Sequence, residues 1–192
     1  MRLLFYKIIR KLQHFWHRWL AGIRRSSYQV LSRQRFVLAP TLITGKRFSI
    51  NTDLTLTSLE INENCRIRDN FNINIGNNGR LSIGENCFFN NNCSISCLGA
   101  IEIGNNNQFG EIVLLYDHDH AFADNTKLIS QQGYNVGTIK IGNNCWVGSN
   151  VVILKNVTIG DNVVIGAGCI IHTSIPANTR VVCRQDLLMK PI

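Results

Sequence analysis

Asp117-His118-Asp119-His120 is the stretch of this chain best equipped for proton chemistry. An imidazole exchanges protons near neutral pH, so one of these histidines could take the proton from an attacking hydroxyl. His118 follows an apolar run closely and is the candidate base. His120 lies farther into a polar stretch and suits substrate contact or a structural role. The same four residues also read as a solvated loop or as part of a metal pair. A mononuclear zinc site needs three or four protein ligands, and no later His or Cys stands in an obvious loop position to supply them. Cys93 and Cys97 lack a second close pair or a histidine partner, so the expectation is no metal.

The element that must position these histidines is a six-residue beat of aliphatic residues. It is clearest in Ile141-Gly-Asn-Asn-Cys-Trp, Val147-Gly-Ser-Asn-Val-Val, Ile153-Leu-Lys-Asn-Val-Thr, Ile159-Gly-Asp-Asn-Val-Val and Ile165-Gly-Ala-Gly-Cys-Ile. The same register runs through Ile61, Ile67 and Ile73, then Ile83, Phe89 and Ile95, then Ile103, Phe109 and Leu115. Hexads of this kind predict a parallel β-helix in which three make one triangular coil and each aliphatic stacks on its equivalent one coil away. The position four residues further on also faces inward. It holds Cys65, Cys87, Cys93, Cys145 and Cys169, alternating with Val151, Val157 and Val163, so these thiols read as core filler. The odd total of seven cysteines argues against a disulfide scaffold and for a reduced, intracellular protein with no evident export signal.

Asn and Gly cluster at 76–78, 90–92, 104–107, 142–144 and 160–162, where they suit the corners because both tolerate left-handed backbone angles. The beat breaks between residues 117 and 138. That stretch has no periodic apolar face and is expected to project as a loop, the usual place for a binding site in a repeat protein.

The first 25 residues differ. Phe5, Ile8, Ile9, Leu12, Trp16, Trp19, Leu20 and Ile23 form a helical stripe, and no Asp or Glu occurs before Asp53. Charges interrupt the stripe too often for a membrane span, which takes roughly 20 mainly apolar residues. An amphipathic helix is expected, lying either on an anionic membrane surface or against the end of the solenoid or a neighbouring subunit. The formal charge of +8 also suits nucleic acid, but no recognition helix, zinc finger or RNA-binding motif accompanies it, so no nucleic-acid partner is expected. The organisation expected is a basic helix and connector over 1–47, a β-helix over 48–180 with a loop at 118–138, and a tail over 181–192.

Taken together, the hexads, the looped Asp-His-Asp-His and Ile141-Gly-Asn-Asn-Cys-Trp-Val-Gly-Ser-Asn-Val-Val-Ile resemble the hexapeptide-repeat acyltransferases, nearest to sugar O-acetyltransferases of bacterial surface-polysaccharide synthesis. The likeness covers residues 55 to 180. It implies a left-handed coil, where general topology favours right-handed parallel connections. It also implies acetyl-coenzyme A as co-substrate, a homotrimer with shared clefts, and a sugar or oligosaccharide acceptor, nucleotide-linked or lipid-linked. By the same resemblance His118 matches the catalytic base and Asn90 an asparagine facing the acceptor, with Asn92 an alternative if the coil shifts. Trp146 matches an aromatic lining the donor cleft, and Ser149 a residue whose backbone N–H supports the oxyanion. Gly148, Gly166 and Ala167 match positions along the pantetheine arm. Asp119, His120 and Tyr134 are candidate sugar contacts on the loop.

Two departures stand out. Val181-Val-Cys-Arg replaces the usual Gly-Val-Pro-Ala, and Thr173 replaces a common lysine, which leaves Arg180 and Arg184 as candidate partners for the coenzyme phosphates. The expected activity is O-acetyl transfer in the cytoplasm, at the inner face of the inner membrane if the N-terminal stripe docks there. The alternatives are an amino-sugar N-acetyltransferase, a γ-carbonic-anhydrase-like protein and a non-catalytic β-helix.

Overall fold

The computed structural model describes residues 36–52, 57–76 and 78–184. Over these the chain winds as a left-handed parallel β-solenoid with three short strands to a coil. The first coil holds β1 (Phe36–Leu38), β2 (Ile43–Thr44) and β3 (Ser49–Thr52), and the second holds β4 (Ser58–Ile61), β5 (Arg66–Ile67) and β6 (Asn72–Ile75). The third has β7 (Arg80–Ile83), β8 (Phe88–Phe89) and β9 (Ser94–Cys97), and the fourth has β10 (Ala100–Ile103), β11 (Gln108–Phe109) and β12 (Leu114–Tyr116). A hairpin of β13 (His118–His120) and β14 (Tyr134–Val136) leaves at this point. Coils resume with β15 (Thr138–Ile141), β16 (Trp146–Val147) and β17 (Val152–Leu154), then β18 (Val157–Ile159), β19 (Val164–Ile165) and β20 (Ile170–Ile171), before β21 (Arg180–Val181).

Equivalent strands stack into three faces: β1-β4-β7-β10-β15-β18, then β2-β5-β8-β11-β16-β19-β21, then β3-β6-β9-β12-β17-β20. The first corner joins the first and second faces, the second corner joins the second and third, and the third corner returns to the first. Register survives the hairpin, since Ala100 pairs with Thr138 and Ile103 with Ile141 across it. Strand pairing is already present over Phe36–Leu38, within the stretch read as connector, where Phe36 and Leu38 are buried opposite Leu59 and Ile61.

The interior is the set of columns that the hexads specify. Ile61, Ile83, Ile103, Ile141 and Ile159 fill one, and Ile67, Phe89, Phe109, Val147 and Ile165 fill another, in which the Phe89 and Phe109 rings stack 4.3 Å apart. Such a ring pair contributes about 0.5–1.5 kcal/mol beyond its buried area. Among the described residues eleven asparagines take positive φ at the corners, from Asn64 to Asn178. Many hydrogen-bond along the coil axis, as Asn144 does to Asn162 (2.8 Å) and Asn162 to Asn178 (3.0 Å). Ile112 breaks the pattern with φ 56°, in a region that a β-branched residue enters only under strain.

The inward thiols do more than fill space. Cys65 donates to the carbonyl of Gly84 (3.0 Å), Cys87 to that of Gly104 (3.1 Å) and Cys145 to that of Gly160 (3.2 Å), each on the next coil. Between Cys87 and Cys145 in that column sits Asn107, fully buried. Its Nδ2 donates to the carbonyls of Gly104 (2.9 Å) and Gly142 (2.8 Å), and its Oδ1 accepts from the Cys145 N–H (2.7 Å).

The expected fold class is corrected in one part. Among the described residues the sole helical element is the 3-10 turn Ile129–Gln131 in the hairpin loop. The solenoid is built without a helix because its backbone groups pair coil to coil. The stripe read as an amphipathic helix, at 2–25, lies outside the described residues. No described helix is long and apolar enough to cross a membrane.

Candidate active site

A groove of about 500 Å³ runs along the second face and its corner with the third. Its wall is the outward row Phe88, Gln108, Trp146 and Val164, which stack in register one per coil. Trp146 is 59% exposed, unusual for so large an aromatic. The corner supplies Asn90, Gly110, Glu111, Gly148, Ser149, Gly166 and Ala167. A Cβ on Gly148 would stand 2.7 Å from the Ala167 nitrogen, so only glycine lets these coils approach so closely.

The chemistry of this corner follows from a ladder that fails there. At the second corner the Lys46 N–H is accepted by Asp69 Oδ1 (2.8 Å) and the Asp69 N–H by Asn91 Oδ1 (3.2 Å), each from the next coil. The next rung is missing: the Asn91 N–H bonds to Oδ1 of its own neighbour Asn90 (3.0 Å). The Glu111 N–H reaches Ser149 Oγ (3.2 Å), which restores the pattern. One coil on, the side chain due to accept from Ser149 belongs to Ala167, which has no oxygen. Among the described residues no acceptor meets the Ser149 N–H. A backbone donor lining a groove without a partner is suited to negative oxygen.

Glu111 is the acidic group of the groove. Its Oε1 accepts from Asn90 Nδ2 (2.5 Å) and its Oε2 from the Ser149 hydroxyl (2.8 Å). The Ser149 hydroxyl, its own backbone N–H, Arg68 and Asn90 together hold its carboxyl below the usual glutamate range.

The histidines stand elsewhere, at the third corner. Asp117 is fully buried and accepts from the N–H groups of Leu98 (2.9 Å) and Gly99 (2.8 Å), while its Oδ1 faces His118 Nδ1 at 2.9 Å. A carboxylate fixed in this way holds the Nδ1–H tautomer and leaves the Nε2 lone pair available. The His118 side chain is 14% exposed. Tyr134 packs edge-on to it at 5.2 Å and against His120 at 4.7 Å. Lys155 Nζ bonds both Asp119 oxygens at 2.8 Å and the Asn135 carbonyl at 3.4 Å, tying the hairpin to the fifth coil. That ammonium, as the chief cause, keeps the Asp119 carboxyl below its usual range.

The groove therefore gathers Asn90, Trp146, Gly148, Ser149, Gly166 and Ala167, and the hairpin gathers His118, Asp119, His120 and Tyr134. Within one chain the third face separates the two groups. Asn92 belongs to the corner ladder, accepting from Asn70 Nδ2 (2.8 Å). Arg180 continues the outward row one coil beyond Val164, and Arg184 is exposed at the end of the described chain. Sequence reasoning missed Glu111, Asp117 and Lys155. An Asp directly before His118 was a usable signal for Asp117; Glu111 and Lys155 carried none without the coil register. No thiol is poised as a nucleophile at the groove's edge: burial pushes Cys93 up to about 11.

Comparison with known proteins agrees with the architecture. Residues 138–173 match the family model described as bacterial transferase hexapeptide (six repeats). The chain carries hexapeptide repeats on a left-handed β-helix. A point variant of AntD, an N-acyltransferase from Bacillus cereus, in complex with dTDP and coenzyme A superposes with a TM-score of 0.59 at 21% identity, covering 73% of this chain and 78% of that one. AntD with dTDP and 3-hydroxybutyryl-CoA gives 0.52 at 18% identity, over 81% of this chain and 83% of that one. At these identities the likeness establishes the fold. A maltose O-acetyltransferase from Clostridium difficile 630 is 28% identical over 79% of this chain and 67% of its own, with a TM-score of 0.46, too low to add to the assignment. No curated protein matches by sequence.

Proposed function

We propose that this protein is an acetyl-coenzyme A-dependent O-acetyltransferase acting on a sugar hydroxyl of a surface polysaccharide or its precursor. The observation that carries the reading is the vacant rung at Ser149, a backbone N–H that meets no acceptor among the described residues, in a groove whose floor is Gly148, Gly166 and Ala167. Acetyl-coenzyme A would supply an activated thioester, its arm lying along those small residues. His118, oriented by Asp117, takes the proton of the acceptor hydroxyl as that oxygen attacks the carbonyl carbon. The Ser149 N–H supports the negative oxygen that results, and the imidazolium returns its proton to the leaving sulfur.

This reading needs more than one copy of the chain, since His118 and the groove lie at different corners. A homotrimer in which the third corner of one copy faces the groove of the next meets that need, with Trp146 covered between them. Arg180 and Arg184 stand toward the coenzyme's phosphate end. A cytoplasmic location fits the supply of acetyl-coenzyme A there.

Release of coenzyme A thiol, measured against a panel of nucleotide sugars and lipid-linked oligosaccharides, tests the activity. His118→Ala should lower turnover roughly 10²- to 10⁴-fold while leaving donor binding intact. Near-normal turnover in that variant removes His118 from the mechanism, and a monomer at micromolar concentration removes the shared site.

A further inference from the structure

We infer that the N-terminal end of the groove is an acceptor subsite in which Glu111 recognises the hydroxyls of a sugar ring laid against Phe88. This rests on the acyltransferase reading for the direction of the groove: the donor arm along Gly166 and Ala167 brings the thioester to Ser149, so the acceptor approaches from the side of Glu111, Asn90 and Phe88.

The position of the carboxylate is the first reason. By the ladder of this corner the Glu111 side chain should accept the Asn91 N–H, as Asn91 does for Asp69. It is turned out of the ladder and into the groove, and Asn90 Oδ1 takes that N–H instead. Each Glu111 oxygen accepts one protein hydrogen bond, from Asn90 and from Ser149, and each keeps a second lone pair for a ligand donor. A carboxylate aimed by two fixed donors and held ionised is a directional acceptor for neighbouring hydroxyls.

The surroundings are the second reason. The Asn90 carbonyl oxygen is already engaged by the Asn91 N–H and by Arg68 Nη1 at 3.3 Å, so Asn90 holds Glu111 in place more than it offers itself to a ligand. The same Arg68 guanidinium lies over the Phe88 ring, 5.8 Å from its centroid. Arg68 thereby fixes both the aromatic wall and the amide beside the carboxylate. An apolar ring face next to a carboxylate matches a pyranose, whose C–H face is apolar and whose rim carries hydroxyls.

The test is calorimetric titration of the full chain with coenzyme A, then, with coenzyme A present, with the methyl glycosides of glucose, galactose, mannose and their 2-acetamido counterparts. At least one glycoside should bind the unmodified protein. Glu111→Gln should weaken that binding about tenfold or more, Phe88→Leu several-fold, and both should keep coenzyme A affinity within about twofold. Glu111→Asp, which keeps the charge but shortens the reach, should fall between and serves where Glu111→Gln fails to fold. Coenzyme A binding with no glycoside binding, or glycoside binding unchanged in Glu111→Gln, overturns the subsite and leaves the donor reading standing. Glycoside binding that depends on Glu111 in a protein with no affinity for coenzyme A keeps the subsite and removes the transfer reaction. Binding of neither overturns both.

Discussion

At the first corner Glu85, Asn105 and Asn143 each give a backbone N–H to the side chain one coil on, at 2.8, 2.8 and 2.6 Å. The second corner begins the same way at Lys46 and Asp69 and then drops rungs at Asn91 and at Ser149. The turns are alike and the residues after them share a left-handed backbone, asparagine throughout at the first corner and Ile112 and Gly168 after Glu111 and Ala167 at the second, so the side chain at the turn decides whether the rung closes. Where that side chain is Asn or Asp, the corner satisfies itself and is inert. Where it is Glu111 or Ala167, polar groups turn toward solvent at the cost of internal pairing. The first corner ends in the same way, with Asp161 opposite Ala177; what the second corner adds is the groove beside its open rung.

The largest expected effect comes from closing that rung. Ala167→Asn would give the Ser149 N–H the acceptor it lacks, so acyl transfer should fall by roughly 10²- to 10³-fold, the scale of a lost oxyanion donor. Thermal unfolding should be unchanged or slightly later. Ala177→Asn is the same substitution at the first corner and should leave turnover alone. Equal activity in both variants would separate Ser149 from the chemistry. Breaking an occupied rung is the converse: Asn143→Ala removes the acceptor of the Asn105 N–H and should cost about 1 kcal/mol in urea unfolding, with turnover preserved.

A smaller effect is expected beside Glu111. Ile112→Asn places the residue type used at eleven other corner positions where the backbone is already left-handed, and should stabilise the fold by about 1 kcal/mol in urea unfolding. The smallest is a pH dependence. The folded-state pKa of Glu111 is depressed, chiefly by the Ser149 hydroxyl, so its contribution to stability is present above the unfolded value of about 4.3 and is lost as pH falls through the folded one. The stability difference between the unmodified protein and Glu111→Gln should therefore be flat from pH 5 to 8 and shrink only below about pH 4.

The hexads made the coils legible because each first-position aliphatic is buried and each strand repeats the choice; Ile141, Val147, Ile153, Ile159 and Ile165 are all interior. The loop was legible as a break in that beat, and the groove glycines through resemblance. Glu111 was not, because its role depends on which residues lie one coil below and above it, and sequence spacing varies where coils are uneven. Lys155 escaped for the same reason: its partner Asp119 is brought to it by the hairpin, across a gap that no period describes. Asn107 was hidden by occupying a position where cysteine is the rule.

That buried amide has a consequence for how the chain threads itself. After β12 the backbone departs for the hairpin and must find the solenoid again at Thr138, with near-identical rungs on offer. Asn107 accepts the Cys145 N–H and donates to the Gly142 carbonyl, so it holds the first corner of the returning coil from within. Asn107 thus staples the coil before the excursion to the coil after it, at the junction where the chain has left its repeat.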